Sequence, residues 1–310
     1  MTFPIHHVNR EQAEQFEQLG SKPKFWFREG ERRLLFKAED RGTGEDWAEV
    51  VACHLCRLLG LPHVEYELAA EYLQGGYQRP GVICENMAPP PRSLILGNQL
   101  LPALSPGYPS DQRFNVKQHT VSAVCDILSI MQPPTAECVA DLPPGLTTAL
   151  DVFVGYVLLD TWIANQDRHH ENWGSIWDAS VGHGLSLAPT FDQGAGFARN
   201  LQDSERQERL TTRDKNRSLP EFAAKGRSAF FDSAQSTRPL LLLDAFRLFS
   251  NQAPPAANIW IERLRAITDG TVSSILEQVP ANRMSEVCRR FTQALLETNR
   301  QRLLDLELAE

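Results

Sequence analysis

Near the middle of the chain, an apolar segment of helical length runs directly into a run of polar residues. Residues 152–163 are apolar except for Asp160 and Thr161, and residues 165–172 (NQDRHHEN) follow after Ala164. The apolar segment is too short to span a bilayer, so it predicts a helix buried in a protein core. A loop that leaves such a rigid helix is a suitable place for reactive side chains. The polar run is therefore the first candidate for a functional site.

The overall composition is that of an ordinary globular protein. Of 310 residues, 42% are hydrophobic and 23% are charged, and the formal net charge is −8. The apolar fraction excludes an intrinsically disordered chain, and the acidic balance argues against direct nucleic-acid binding. Residues 1–7 lack the basic start and apolar run of a signal peptide. We therefore expect a cytoplasmic protein that binds neither nucleic acid nor membrane.

Six cysteines are scattered along the chain, and two of them, Cys53 and Cys56, lie close together. A structural zinc site would require a second cysteine pair, or a histidine pair, at a suitable spacing downstream, and the sequence offers neither. The pair also falls inside an amphipathic helical pattern. We therefore interpret these thiols as small core residues in a reducing compartment.

The first third of the chain predicts strands around one helix. Residues 24–27 and 32–38 form a hairpin signal around Gly30. A helix follows, with Thr43 opening a capping box and Gly60 ending the helix. Further strands are predicted over residues 63–69 and 81–84, in the first case because apolar and polar residues alternate.

The rest of the chain predicts mostly helices. A Pro- and Gly-rich stretch near residues 89–112 is interpreted as irregular. A short hairpin is expected over residues 173–188. Helices are predicted over residues 121–131, 151–164, 239–250, 259–278 and 284–304. The fold class is therefore α+β, with a small β-rich lobe that contains one helix and a larger, mostly helical lobe.

The polar run has a spacing that protein kinases use. Asp167 and Asn172 are five residues apart, as are the kinase aspartate that accepts the substrate proton and the asparagine that holds magnesium. A second metal carboxylate should follow a short hairpin, and Asp192 does so within Asp-Gln-Gly rather than Asp-Phe-Gly. Phosphoryl transfer needs such hard oxygen ligands for Mg²⁺.

The predicted β-rich lobe contains a candidate for the phosphate-binding lysine that a kinase needs. Lys37 lies on the second predicted strand and Glu49 lies in the first turn of the helix that follows, which is the kinase order of phosphate-binding lysine and helix glutamate. Residues 20–24 (GSKPK) are the candidate phosphate loop, although they match no standard glycine-rich pattern. Each residue alone could be a surface or turn residue, but the joint order favours a kinase.

A metal-dependent hydrolase is a weaker alternative. It would use His169, His170, Glu171 and Asp192, but adjacent histidines point in different directions in regular structure. The run also lacks the helical His-Glu-x-x-His spacing of zinc hydrolases.

The chain resembles the HipA-like serine/threonine kinases, most closely their short C-terminal-domain type, over nearly its whole length. The core Asn-x-Asp-Arg-His-x-x-Asn at residues 165–172 carries the resemblance, with further matching segments around Lys37, residues 45–49, residues 59–62 and residues 188–192. It implies a two-lobed kinase fold, with an N-lobe at residues 1–87 and a C-lobe at residues 88–310.

The resemblance also implies roles. Asp167 would be the catalytic base, with Asn172 and Asp192 holding Mg²⁺. Lys37 would contact the phosphates of ATP, with Glu49 as its partner. The backbone of Glu85 and Met87 would bind adenine at the hinge. The loop over the phosphates would comprise Gly20, Ser21, Lys22 and Lys24. The substrate would be a Ser or Thr of a protein, and a helix-turn-helix antitoxin would be the partner.

Two alternatives keep the fold but change the function. Phosphatidylinositol kinases share the Asp-Arg-His-x-x-Asn pattern, but a lipid kinase should carry an apolar or basic membrane-facing element. The charged segment 198–217 is mixed in sign and does not provide one. A kinase-shaped binding module without turnover should lack a catalytic group, and here all are present.

Overall fold

A computed structural model describes residues 2–16, 23–39, 41–73, 76–135, 142–180 and 184–308. The first part of this structure is a six-stranded sheet. Its strands are β1 (Ile5–Asn9), β2 (Ala13–Phe16), β3 (Lys24–Glu29), β4 (Arg32–Ala38), β5 (Tyr66–Tyr72) and β6 (Gln78–Glu85). They lie in the order β1-β5-β6-β4-β3-β2, in which β1 runs parallel to β5 and the other neighbours are antiparallel. The predicted hairpin is confirmed, with Glu29 opposite Arg32.

One long helix, α1 (Glu45–Leu59), packs on this sheet. Its end at Gly60 was predicted, but the expected capping box at Thr43 is wrong, because the N-cap is Gly44. Gly44 has a φ of 85°, and a Cβ there would overlap the Trp47 ring. The backbone N–H of Thr43 instead donates to a Glu39 carboxylate oxygen at 3.1 Å.

The stretch interpreted as irregular contains regular structure. It holds β7 (Arg92–Leu96) and the short helix α2 (Gly97–Leu100). β7 pairs with β8 (Gly174–Asp178), which pairs in turn with β9 (Leu185–Leu187). The β8–β9 hairpin was predicted. β7 was missed because its pairing partner lies about eighty residues away and leaves no local signal.

The remainder is helical, as expected. The predicted helix over residues 259–278 is two helices, because Thr268 starts a new one by accepting a hydrogen bond from the N–H of Thr271. The helices are α3 (Val121–Ser129), α4 (Ala149–Trp162), α5 (Asp203–Thr211), α6 (Leu219–Ala224), α7 (Leu242–Ser250), α8 (Pro254–Ala266), α9 (Asp269–Leu276) and α10 (Glu286–Leu304).

A continuous apolar core joins the sheet part to the helical part. Trp47 and Val51 of α1 belong to the same cluster of buried side chains as Phe153 and Leu158 of α4. In α4 every residue is buried except Leu150 and Asp151, so the predicted buried helix is confirmed. The α+β fold class is confirmed as well, whereas the boundary between residues 87 and 88 stays a prediction. No helix in the described ranges is long and apolar enough to cross a membrane.

Gly155 lets α4 approach α8 closely. A Cβ at this position would lie 2.5 Å from the ring of Trp260, which is fully buried and donates from Nε1 to the carbonyl of Asp151 at 2.7 Å. Gly155→Ala gains about 1 kcal/mol of helix propensity, but overpacking costs ~1–3 kcal/mol. We expect net destabilisation in urea unfolding, whereas Gly184→Ala, which points into open space, should unfold like the wild type. A stabilised Gly155→Ala variant would contradict the close approach.

Candidate functional site

A cleft of about 490 Å³ lies where the sheet meets the helical part. Lys37, Glu49, Asp167 and Asp192 all line it, so the structure brings together four residues that the sequence predicted from distant segments. Five Lys or Arg and six Asp or Glu side chains line the cleft in total. Such a mixed lining suits a polyanion that carries divalent cations better than it suits an apolar ligand.

Lys37 forms the centre of this charged cluster. Its Nζ lies 3.6 Å from Oδ1 of Asp192 and 3.9 Å from Oε1 of Glu49. It also donates a hydrogen bond to the Tyr66 hydroxyl at 2.8 Å. Lys37 projects from β4, Glu49 from α1 and Tyr66 from β5, so the ammonium is held from three elements. Tyr66 was not predicted, because nothing in the sequence marks a tyrosine on a half-buried strand as a lysine partner.

The charges of this cluster depend on one another. Burial raises the pKa of Glu49 to about 7, and the Asp192 carboxylate adds to the effect, while Lys37 and the Gln193 N–H oppose it. Burial acts against the charged form of Lys37, but Tyr66, Asp192 and Glu49 outweigh burial and hold the pKa of Lys37 well above its usual value. Lys37 is therefore charged at neutral pH, as a phosphate-binding lysine must be.

Asp192 sits in a tight turn beside α1. Its φ of 61° is in the left-handed region, which few non-glycine residues adopt and which is concentrated at functional sites. The next residue, Gln193, donates its backbone N–H to Oε2 of Glu49 at 2.8 Å. A Cβ at Gly194 would lie 3.3 Å from Glu49. The Asp-Gln-Gly sequence thus brings the turn directly against the helix glutamate.

Asp167 and Asn172 lie in the loop that follows α4. Nδ2 of Asn172 donates to the backbone carbonyl of Asp167 at 2.7 Å. The N–H of Asp167 donates to Oδ1 of Asn165 at 3.2 Å. The Asp167 side chain is about one-third exposed, toward the cleft. Because the amide nitrogen of Asn172 is used within the loop, its carbonyl oxygen is the atom that could bind a cation.

A buried ion pair holds this loop in place. Nε and Nη2 of Arg168 each lie 2.7 Å from a carboxylate oxygen of Asp160, and Nη1 donates to the carbonyl of Asn172 at 2.9 Å. Both charged side chains are almost fully buried. Asp160 also accepts a hydrogen bond from Asn165 Nδ2 at 2.8 Å. This role was not predicted, although a lone carboxylate in an apolar helix, eight residues before an arginine, was the available signal in the sequence.

His169 and His170 do not form a joint metal site. Nε2 of His169 lies 3.6 Å from Oδ1 of Asp167, whereas Nδ1 of His170 lies 2.8 Å from the Tyr108 hydroxyl. With Glu171 and Asp192 included, these residues do not form a group of three ligand atoms close enough to share an ion, within the described part of the chain. The geometry therefore disfavours the hydrolase alternative.

Three buried histidines are expected to make the stability of the folded protein sensitive to acid. Burial lowers the pKa of His119 to about 3, and it lowers the pKa values of His169 and His170 to about 4. The unfolded chain takes up protons near pH 6.5, while the folded protein does not. The free energy of unfolding should therefore fall as pH drops from 6.5 toward 4.

His119 should account for much of this loss. The fall of its pKa from 6.5 to about 3 corresponds to at most about 5 kcal/mol. It accepts from Trp173 Nε1 at 3.1 Å, and its Nδ1 lies 3.0 Å from the Ala229 carbonyl. Glutamine can make both contacts without titrating. Urea unfolding of His119→Gln between pH 7 and 4.5 should show a flatter pH dependence than the wild type, and an unchanged slope would contradict this assignment.

The other predicted site residues are placed less completely. Gly20, Ser21 and Lys22 lie outside the described residues. Lys24 starts β3 opposite Lys37 and lines the cleft. Glu85 ends β6 and forms an ion pair with Arg32 through its side chain, and Met87 lies in the connection to β7. The adenine contacts of Glu85 and Met87 remain a prediction.

The fold is similar to that of two solved bacterial proteins. The proinflammatory kinase CtkA of Helicobacter pylori matches 97% of this chain and 96% of its own length, with a TM-score of 0.73 at 19% identity. The chain therefore has the same overall fold as CtkA. HipA, from the toxin–antitoxin system of Shewanella oneidensis MR-1 solved with HipB and operator DNA, matches 96% of this chain and 68% of its own, with a TM-score of 0.53 at 11% identity.

The resemblance inferred from the sequence is thus confirmed at the level of the fold. No protein-family model and no curated protein matches the sequence. The function must therefore be argued from the site itself.

Proposed function

We propose that the chain is an ATP-dependent serine/threonine protein kinase. The observation that carries the proposal is the convergence of Lys37 and Glu49 from one part of the molecule with Asp167 and Asp192 from the other, around one polar cleft. Phosphoryl transfer depends mainly on positioning and on neutralising charge. A cleft that contains a held ammonium and the partly exposed carboxylates of Asp167 and Asp192 suits both needs.

Each residue has one task in this proposal. Asp167 accepts the proton of the substrate hydroxyl, since its carboxylate is partly exposed in the cleft. Lys37 binds phosphate oxygens of ATP, and Glu49 orients Lys37. Lys24, with the predicted loop of Gly20, Ser21 and Lys22, covers the phosphates, and the backbone of Glu85 and Met87 binds adenine.

Asn172 and Asp192 would hold Mg²⁺. Their carboxamide and carboxylate oxygens are the hard donors that Mg²⁺ prefers, and the amide nitrogen of Asn172 already bonds within its loop. When bound, the ion would neutralise negative charge on the phosphates. The side chains therefore fit the cofactor.

Transfer of labelled phosphate tests the proposal. The purified chain is incubated with γ-labelled ATP and Mg²⁺, in one reaction with protein extract and in another with phosphatidylinositol vesicles. We expect label on protein Ser or Thr, and none with Asp192→Asn. Label on the lipid would identify the lipid-kinase alternative. If Mg²⁺-ATP produces neither transfer nor thermal stabilisation, the kinase proposal is wrong.

We further propose a DNA-binding antitoxin as a partner and a cytoplasmic location. The support is that the similar HipA was solved with HipB and operator DNA, while the net charge of −8 argues against direct nucleic-acid binding by this chain. Co-purification of the tagged chain from its native cells tests this proposal, and a stable partner without DNA-binding activity would contradict it.

A further inference from the structure

Three potential metal ligands gather outside the cleft. Cys53 lies in α1, while His63 and Glu65 lie in the segment that leads from α1 into β5. One ligand atom of each, a sulfur, a ring nitrogen and a carboxylate oxygen, lies within 4.8 Å of the other two. The sequence contains no second ligand pair at a suitable spacing from Cys53 and Cys56. The left-handed turn at Gly60 reverses the chain. This reversal brings His63 and Glu65 back to Cys53, at a sequence spacing that matches no standard zinc motif.

A backbone carbonyl orients the ring of His63 toward Glu65. Its Nδ1 lies 2.7 Å from the carbonyl oxygen of Leu61, which can only accept, so Nδ1 carries a proton. In the neutral ring, Nε2 then presents a lone pair. This atom is buried and has no aligned hydrogen bond, yet it lies 3.0 Å from Oε1 of Glu65. In this neutral form, Nε2 of His63 and Oε1 of Glu65 face each other at a spacing close to that of two ligands on one metal ion.

We propose that Cys53, His63 and Glu65 bind one Zn²⁺ ion. Mixed sulfur, nitrogen and oxygen ligands are typical of zinc, and tetrahedral bonds of ~2.0–2.3 Å place ligand atoms about 3.3–3.6 Å apart. The observed group needs only small side-chain shifts to reach that spacing. Glu65 is about half exposed, so an ion can enter from solvent, and water can take the fourth position.

The surroundings already contain the outer hydrogen bonds that metal ligands need. Metal-bound histidines donate their other ring N–H to a carbonyl or carboxylate, as His63 does to Leu61. The backbone N–H of Tyr66 donates to Sγ of Cys53 at 3.2 Å, which would stabilise a thiolate. Arg57 forms an ion pair with Glu65 and so fixes the carboxylate.

Binding would exchange a proton for the ion. The Cys53 thiol now donates to the carbonyl of Val64 at 3.1 Å. On binding, the sulfur–zinc bond forms and this proton leaves to solvent, one proton for each ion. The ion would connect α1, at Cys53 one helical turn after Glu49, to the start of β5. The backbone of His63 also forms a β-bridge with Thr190, two residues before Asp192.

Cobalt(II) spectroscopy tests the site on the full chain. Excess Mg²⁺ is present to occupy oxygen-only sites. We expect one equivalent of Co²⁺ to give a thiolate charge-transfer band and tetrahedral d–d bands, and Zn²⁺ to abolish them. Both should be lost in Cys53→Ala and retained in Cys56→Ala, a matched buried thiol of the same helix. A band that persists in Cys53→Ala, or no band in several-fold Co²⁺ excess, overturns the proposal.

A second variant tests the site even if the buried Cys53→Ala substitution prevents folding. Glu65→Gln changes a half-exposed side chain and should weaken Zn²⁺ binding at least ~10-fold, measured by competition with a zinc indicator. Glu67→Gln in β5, also partly exposed, is its control and should bind Zn²⁺ like the wild type. Equal affinities for both variants would overturn the assignment. None of these measurements uses ATP, so the outcome is independent of the proposed kinase activity.

Discussion

Asp167→Asn is expected to lower phosphoryl transfer by about 10²–10⁴-fold, the usual contribution of a general base, while ATP binding persists. Asparagine cannot accept the substrate proton. The loop should keep its shape, because the strongest contact from Asn172 goes to the backbone carbonyl of residue 167 and not to its side chain. The phosphate-binding group is also untouched, since Lys37 is held by Tyr66, Asp192 and Glu49.

Two measurements separate these effects. Single-turnover transfer from labelled ATP reports the chemical step, and the thermal shift with Mg²⁺-ATP reports binding. Asp244→Asn removes a surface carboxylate that pairs with Arg247 of its own helix. It serves as the control and should retain wild-type transfer. A near-normal rate for Asp167→Asn would eliminate Asp167 as the base.

The sequence predicted those parts of the site that have local signals. Asp167 and Asn172 share one loop, and their spacing alone indicates a pair. Lys37 and Glu49 were predicted because a hairpin signal and a helical pattern place them on neighbouring elements, and β4 and α1 follow those patterns closely. The convergence of Asp167 with Lys37 and Glu49 was an expectation from kinase order, and these three side chains line one cleft.

The sequence did not predict contacts between residues that are distant in the chain. It also did not predict an N-cap that goes against the usual preference for Ser, Thr, Asp or Asn. Tyr66 meets Lys37 only because β5 and β4 both neighbour β6, a register that no local pattern encodes. The N-cap of α1 is Gly44 and not the predicted Thr43. The Trp47 ring leaves no room for a side chain at residue 44. His63 joins Cys53 only through the turn at Gly60. Such tertiary contacts override propensity.

Asp160→Asn should destabilise the protein strongly. It leaves the Arg168 guanidinium buried and without its counter-charge, and breaking a buried pair in this way costs about 3–5 kcal/mol. An exposed pair is worth ~0–1 kcal/mol, so Asp244→Asn again provides the reference. The free energy of unfolding in urea measures both. A loss below about 1 kcal/mol would show that the pair does not hold the loop.

A double variant separates stability from loop order. Replacing both partners by apolar residues, as in Asp160→Leu with Arg168→Met, removes the unpaired charge, and such swaps are often neutral in stability. We therefore expect the double variant to be more stable than Asp160→Asn. Phosphoryl transfer by the double variant should nevertheless remain below that of the wild type. The carbonyl of Asn172 and the amide of Asn165 have both lost their hydrogen-bond partners, so the loop is no longer held in position. If transfer recovers together with stability, the ion pair contributes only to folding, and the position of Asp167 must be set by other contacts.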